Sequence, residues 1–495
     1  MPSVFCATTA EDPPFRKAGG KVSFDRNEDR PERNGDMSHP VSSWPARLWV
    51  LGIAGFGFLG MPQADSAPFK PVITRSVAAN RIAEKPDYAH SLSAELSWLE
   101  FGLESRTRYE YRWNDYSTPG LITDDALVTR NLLYLAVKGP LDPLRLAVEL
   151  QDSRRFLSDR VANPNLETGF EFLQAFAQLR FEDALDGQPL SLSFGRMVFD
   201  WADRRIIARN RNRNTLSAFD GFRLRLGDEN APWEIDAIAV RPVDRNVDDL
   251  DESTDNATLV GIAGYWRGWS PHLVLEPYWL WFEQDDNRLV PIQRDLHTFG
   301  LHAFGQWSEK SAWDYDLSLA GQWGETQGQA HRAWAAHAEV GRTFSSAWKP
   351  RLALWFNYAS GDQDATDGRH ERFDPLFGAT YAFYGYSSYF AWQNMINPAL
   401  RLSFAPAQNF RCEIMHRAFW LASDTDAWVR GLRRDRTGGS GDFIGQETDI
   451  RLVWQLGKNF DLDLAYSHFW PGGFVASTGA APPGDFMQIA ATLRF

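Results

Sequence analysis

The stretch FMQIAATLRF occupies residues 486–495. Read every second residue, Met487, Ile489, Ala491, Leu493 and Phe495 are apolar. The residues between them, Gln488, Ala490, Thr492 and Arg494, are polar or small. A period of two marks a β-strand, whose successive side chains leave opposite faces. This strand is greasy on one face, wet on the other, and closed by an aromatic ring. The pattern recurs along the chain. In LESRTRYEYRW (103–113), Leu103, Ser105, Thr107, Tyr109, Tyr111 and Trp113 oppose Glu104, Arg106, Arg108, Glu110 and Arg112. In WDYDLSLAGQW (313–323), rings sit at the ends of the apolar face (Trp313, Tyr315, Trp323) and Leu317 and Leu319 at its middle. That order fits a lipid-facing band between two aromatic girdles.

Composition narrows the class. The chain has 495 residues and no clear linker in its body. It carries 21 Trp and 14% aromatic residues, a load expected where rings meet a lipid–water boundary. Mean hydropathy is −0.39, and one long apolar run lies near the start, which excludes a bundle of membrane helices. Two cysteines, Cys6 and Cys412, argue against a disulfide framework or a Cys-based metal site. A net charge of −13 argues against nucleic-acid binding. Of 51 basic residues only 8 are Lys. The Arg excess reflects either genome composition or a site for carboxylate or phosphate groups, which Arg grips in a planar fork.

Residues 1–36 are polar and aperiodic and read as a mis-called N-terminal extension. Met37 opens a segment with one Arg, an apolar run from Leu48 to Met61, and small residues near Ala64–Ala67. Residues 37–66 are therefore expected to be a secretory signal peptide, followed by a periplasmic N-terminal segment over 67–90 and a barrel over 91–495.

Eighteen alternating segments follow. The gaps after even-numbered segments are short turns, such as PAQ and GKN. Those after odd-numbered segments are mostly longer and polar, as at 200–218, 361–389 and 423–446. Short turns on one side and long loops on the other are the layout of an outer-membrane barrel. The expected fold is all-β: a transmembrane antiparallel barrel of about 18 strands, with periplasmic N- and C-termini. A soluble sandwich, propeller or solenoid also alternates. It does not predict the signal peptide, the one-sided loops, the aromatic-flanked apolar face and the terminal Phe together.

Four stretches carry a family likeness: RTRYEY in the opening strand; FGRMVFDWADRRIIARNRNRNTLSAFDGFRLRL at 194–226; YASGDQDATDGRHERFDPLFG at 358–378; and FIGQETDIRLVWQLGKNFDLDLAYSHFWPGGF at 443–474. In these the chain resembles the alginate-export family of outer-membrane barrels from about Ser91 to Phe495. The resemblance implies an eighteen-stranded monomer and passive outward passage of an anionic polysaccharide through an Arg-rich lumen. Met197 departs from the pattern, where the family would have Gln. The terminal Phe resembles the signal read by the barrel-insertion machinery.

Eighteen strands leave an aqueous channel, whose selectivity is set by rings of charge and loop constrictions. Phasing each strand by its apolar face gives the expected pore-lining set: Arg106, Arg108, Glu110, Arg112, Arg130, Arg145, Arg223, Arg225, Arg401, Arg411, Arg417, Asp449 and Arg451. A basic wall facing a more acidic wall is expected. Arg196 phases outward, and a bulge at Gly195 would turn it inward. Asp220 is expected to pair with a neighbouring lumen Arg. Asp362, Asp364 and Asp367 form an acid-rich loop off the EF-hand spacing, a weak metal candidate. The aromatic segment FDPLFGATYAFYGYSSYF is expected to fold over the mouth or into the lumen. RNRNRN at 209–214 reads as a basic loop meeting lipopolysaccharide or an anionic glycan.

The leading functional reading is an outer-membrane channel exporting an alginate-like polyanion. A porin for small anionic or sugar-acid solutes is the alternative. An outer-membrane enzyme is remote, because no GxSxG, HExxH or Ser/His/Asp set shares a face. No cofactor is implied. Expected partners are the glycan or small anions, lipid and lipopolysaccharide, the insertion machinery and a periplasmic export scaffold.

Overall fold

A computed structural model describes residues 85–495, apart from 186, 229–230, 269, 271, 287–291 and 309–310. The expected extension, signal peptide and most of the periplasmic segment lie outside the described residues.

Among the described residues eighteen long strands form one wall. They are β1 Leu99–Trp113, β2 Asp124–Val137, β3 Leu144–Phe156, β4 Thr168–Leu185, β5 Gln188–Met197 and β6 Phe219–Leu226. Next come β7 Trp233–Asp244, β8 Ala257–Trp266, β9 Leu273–Gln284, β10 Arg294–Gln306, β11 Trp313–Thr326 and β12 Gln329–Thr343. The last are β13 Arg351–Ala359, β14 Met395–Ala407, β15 Phe410–Trp420, β16 Phe443–Gln455, β17 Phe460–Pro471 and β18 Gly484–Arg494. Each pairs antiparallel with its neighbours in sequence. β18 returns to β1, with Glu104 opposite Arg494 and Trp113 opposite Asp485. The sheet is thus a closed antiparallel barrel. Closure pairs every edge, which is what lets strands stand in hydrocarbon.

The opening stretch is the closing strand. Leu493 and Ile489 are 40% and 42% exposed on the outer face, while Gln488, Ala490 and Thr492 are buried inside. Phe495 extends the ladder by exchanging two 2.8 Å backbone hydrogen bonds with Leu103. In β11, Trp313, Leu317, Leu319 and Trp323 all face outward and exposed, as the girdle pattern requires.

Loop lengths are one-sided. β16 and β17 are joined by 456–459 and β14 and β15 by 408–409, at the short-turn end. At the opposite, long-loop end stand 198–218, 360–394 and 421–442. The exception is 327–328 after β11, where Gln327 and Gly328 both take positive φ, as a two-residue hairpin turn demands. The alternation places the start of β14 at residue 390; the strand starts at Met395, because Phe390, Ala391 and Trp392 are buried in the preceding loop.

Candidate functional site

Alternation delivers charged side chains to the inside of the wall, and register decides their partners. Arg223 on β6 binds Asp236 on β7 through two hydrogen bonds of 2.9 and 2.6 Å, both side chains almost fully buried. Arg225 binds Glu234 at 3.0 and 2.6 Å. Arg451 faces Asp463 at 2.9 Å. Arg401 and Arg411 share Glu413, the latter at 3.1 Å. Arg417 pairs with Asp449 at 3.2 Å. Arg145 pairs with Glu182 at 2.6 Å, near the short-turn end and away from the cavity described below. The two-walled lumen is therefore corrected: basic and acidic groups interleave along neighbouring strands. Unpaired charge on a dry wall is costly, and cross-strand pairing offsets that cost.

Arg196 also departs from expectation. The ladder runs unbroken through Phe194, Gly195 and Arg196, with no bulge. Phe194 and its partner Phe222 are 58% and 62% exposed on the outer face, and Arg196 and Asp220 lie two residues along on that face. There they bind each other at 2.9 and 3.0 Å, with Glu171 at 3.3 Å from Arg196. Asp220 thus finds its Arg, outside the lumen.

The long loops turn inward. Three wall guanidiniums converge on successive carbonyls of the 198–218 loop. Arg106 donates to Arg211 O at 3.0 Å and Arg213 O at 2.8 Å. Arg130 donates to the same two oxygens, and Arg108 to Asn212 O. Asn214 is fully buried and donates to Thr129 O at 2.9 Å and Leu166 O at 2.7 Å. The hydrogen-bond donors of these wall arginines are spent on loop backbone while their charge remains, and the loop adds Arg211 and Arg213 to the lining. Glu110 is held between Arg108 at 2.5 Å and Arg112 at 3.6 Å.

The aromatic loop joins it. Arg112 donates to Ser387 O at 2.9 Å, Arg417 to Phe383 O at 2.9 Å, and Tyr386 to Glu413 at 2.6 Å. Ala379 N bonds Arg204 O, and Phe377 N bonds Ile206 O, both at 2.9 Å, so the two loops form one internal body. Arg430 from the third loop reaches Ser388 O at 2.8 Å.

From the short-turn end the segment before β1 also enters. Tyr88 is buried and donates to Glu149, which Gln174 also reaches. Gly102 makes room for it: a Cβ there would lie 2.7 Å from the Tyr88 ring. Asp87, on the other side of that segment, meets Arg211 at 3.1 Å. Partial desolvation inside the lumen pushes the Asp87 carboxyl up, but Arg211 outweighs it and holds the half-exposed group below its ordinary range.

Between these parts lies a cavity of about 1230 Å³. Its described lining holds fifteen arginines, eleven acids and no lysine, so the lining is net basic. Arg106, Arg108, Glu110, Arg112, Arg130, Arg401, Arg411 and Arg451 line it; Arg145, Arg196, Asp220, Arg223, Arg225, Arg417 and Asp449 do not. Asp87, Arg204, Arg205, Arg211 and Arg213 line it from loops that strand phasing cannot place. The alternating Arg and Asn of 209–214 were the one signal in sequence.

The weak metal candidate does not converge. Asp364 caps Thr366 N at 2.9 Å, Asp367 caps Arg369 N at 2.8 Å, and Asp362 faces Glu371 N. Among the described residues, Asp203, His302 and Asp316 do approach one another. His302 already bridges Glu276 at 2.6 Å and Asp316 at 3.1 Å, and Asp203 faces Arg205 at 2.8 Å.

A closed barrel with an apolar outer face and a charged inner face around a basic cavity has the form of a channel of the bacterial outer membrane. The sequence profile described as "Alginate export" matches residues 97–484, and the chain belongs to that family. Among curated proteins, none matches the sequence. Among solved structures, Pseudomonas aeruginosa OccK11 (OpdR) is 13% identical, with 80% of this chain and 96% of that one covered and a TM-score of 0.54. Acinetobacter baumannii OccAB2 is 12% identical, with 80% and 98% covered and a TM-score of 0.57. P. aeruginosa OpdK, solved with vanillate, is 10% identical, with 80% and 98% covered and a TM-score of 0.54. These likenesses show the fold.

Proposed function

We propose that this outer-membrane channel passively exports a carboxylate-bearing glycan of the alginate kind, with its short turns and both termini in the periplasm. The observation that carries this reading is the cavity lining, with fifteen arginines against eleven acids. Hydrated Arg–carboxylate contacts are worth ~1 kcal/mol or less. A polymer can exchange them one at a time as it slides. The protein works as a monomer, receives polymer from a periplasmic scaffold, and is inserted by machinery that reads Phe495. Lipopolysaccharide meets the long loops.

A second reading, uptake of small anionic or sugar-acid solutes, is favoured by the inward loops and by the Asp87–Arg211 contact, which narrow the path. OpdK, alike in fold, was solved with vanillate. Planar-bilayer recordings separate the two. Block by polymannuronate added at the short-turn side, with passage into the opposite chamber, supports export. Flux of monomeric galacturonate without polymer passage supports uptake. Cation preference with neither overturns both.

A further inference from the structure

Most ion pairs around the cavity are closed to solvent. Arg205–Asp203 has side-chain exposures of 2% and 9%, Arg401–Glu413 of 10% and 8%, and Arg108–Glu110 of 2% and 10%. Arg211–Asp87 differs, at 34% and 43%, the largest exposure on both sides among the described pairs lining the cavity. Its geometry is that of a bound carboxylate: Arg211 donates to both Asp87 oxygens, at 3.1 and 3.3 Å. Neither partner sits on the wall. Arg211 stands on the loop whose backbone Arg106 and Arg130 clamp, so its position is fixed from behind. Asp87 arrives on the segment before β1, beside the seated Tyr88, so that segment is registered too.

Resting on the carboxylate-channel reading above, we infer that Arg211 is a carboxylate-binding residue of the lumen, and that Asp87 occupies it as an internal stand-in for the substrate's own carboxylate. An exposed pair of this kind is exchangeable, because water and a second carboxylate both reach the guanidinium. An incoming uronate takes over the Arg211 fork and releases Asp87 to solvent. No covalent step is involved. The empty lumen is thereby kept partly neutral, and a carboxylate-bearing solute must compete for entry while a neutral one gains nothing.

The test is channel block in planar bilayers with the full chain, using short galacturonate oligomers and neutral dextran of similar length. Removing the internal competitor with Asp87→Asn is expected to lower the half-blocking oligomer concentration about two- to fivefold, as an exposed ion pair implies. Asp87→Glu restores the wild-type value, and Arg211→Gln raises it above wild type. Dextran block stays unchanged throughout. If the wild type is blocked but Asp87→Asn shifts nothing, the pair is a strut and the inference fails alone. A parallel dextran shift means widening of the path and overturns it as well. If oligomers do not block the wild type at all, this inference and the carboxylate-channel reading fall together.

Discussion

Glu104 shows what one buried carboxylate holds together. It is 1% exposed and accepts from Arg130 on β2 at 2.6 Å and from Arg494 on β18 at 3.0 Å. It thus ties the first strand to both neighbours at the seam where the barrel closes. Glu104→Gln takes the carboxylate from buried Arg130, while Arg494 keeps Asp461, a loss of about 1.5–3 kcal/mol. The expected outcome is a lower temperature for conversion of the compact gel band to the unfolded one; an unshifted midpoint would show that the seam does not depend on this charge. Asp251, in the loop between β7 and β8, makes a pH prediction. Burial raises its carboxyl first and nearby Glu171 adds to it, giving a pKa of about 6. The folded loop therefore binds a proton more tightly than the free chain does. That contribution is complete below the ordinary aspartate value of about 3.9 and is lost as pH rises through about 6. Amide exchange in 246–253 should quicken, once corrected for intrinsic base catalysis, between pH 5 and 7, values chosen to bracket the shift of about 6. Asp251→Asn should remove the pH dependence.

Strands and loops differ in how legible they are. Period two survives in a barrel because each strand has one lipid face and one lumen face, so eighteen segments can be counted between residues 96 and 495. Phasing also put Arg106, Arg223 and Arg451 inside, where Arg106 and Arg451 line the cavity and Arg223 pairs with buried Asp236. It could not say that Arg106 would be consumed by loop carbonyls and Arg223 by Asp236, since both depend on register and loop path. Arg196 is the instructive case. Its charge suggested a bulge at Gly195, but the outward site is polar enough, because Asp220, Glu171 and Asp251 O surround it near the long-loop end. Two predictions belong to these elements. Deleting Phe495 removes two closing hydrogen bonds with Leu103 and is expected to cut the yield of folded protein in outer membranes, read as the heat-modifiable fraction. Arg106→Gln with Arg108→Gln and Arg130→Gln removes all three guanidiniums from the 198–218 loop backbone and should give larger, noisier single-channel currents. Unchanged conductance would mean that the loop holds its place without them.

For the molecule as a channel, the basic cavity sets the electrostatics. Net charge is −13 over the whole chain, yet the described lining carries more arginines than acids. Charge that matters for permeation is thus local, and it is screened: the Debye length is about 10 Å at 0.1 M salt and about 3 Å at 1 M. Anion preference, measured from reversal potentials, should be clear at low salt and largely collapse near 1 M. A preference independent of salt would point to size and shape selection instead. The chain alone told the strand number, which face of each strand meets lipid, and which connections are long, because all three follow from local alternation and from turn chemistry. It could not tell which arginines remain open to a solute. That was settled by folding, when register matched many wall guanidiniums with acids and three long loops, with Asp87, entered the lumen to meet others.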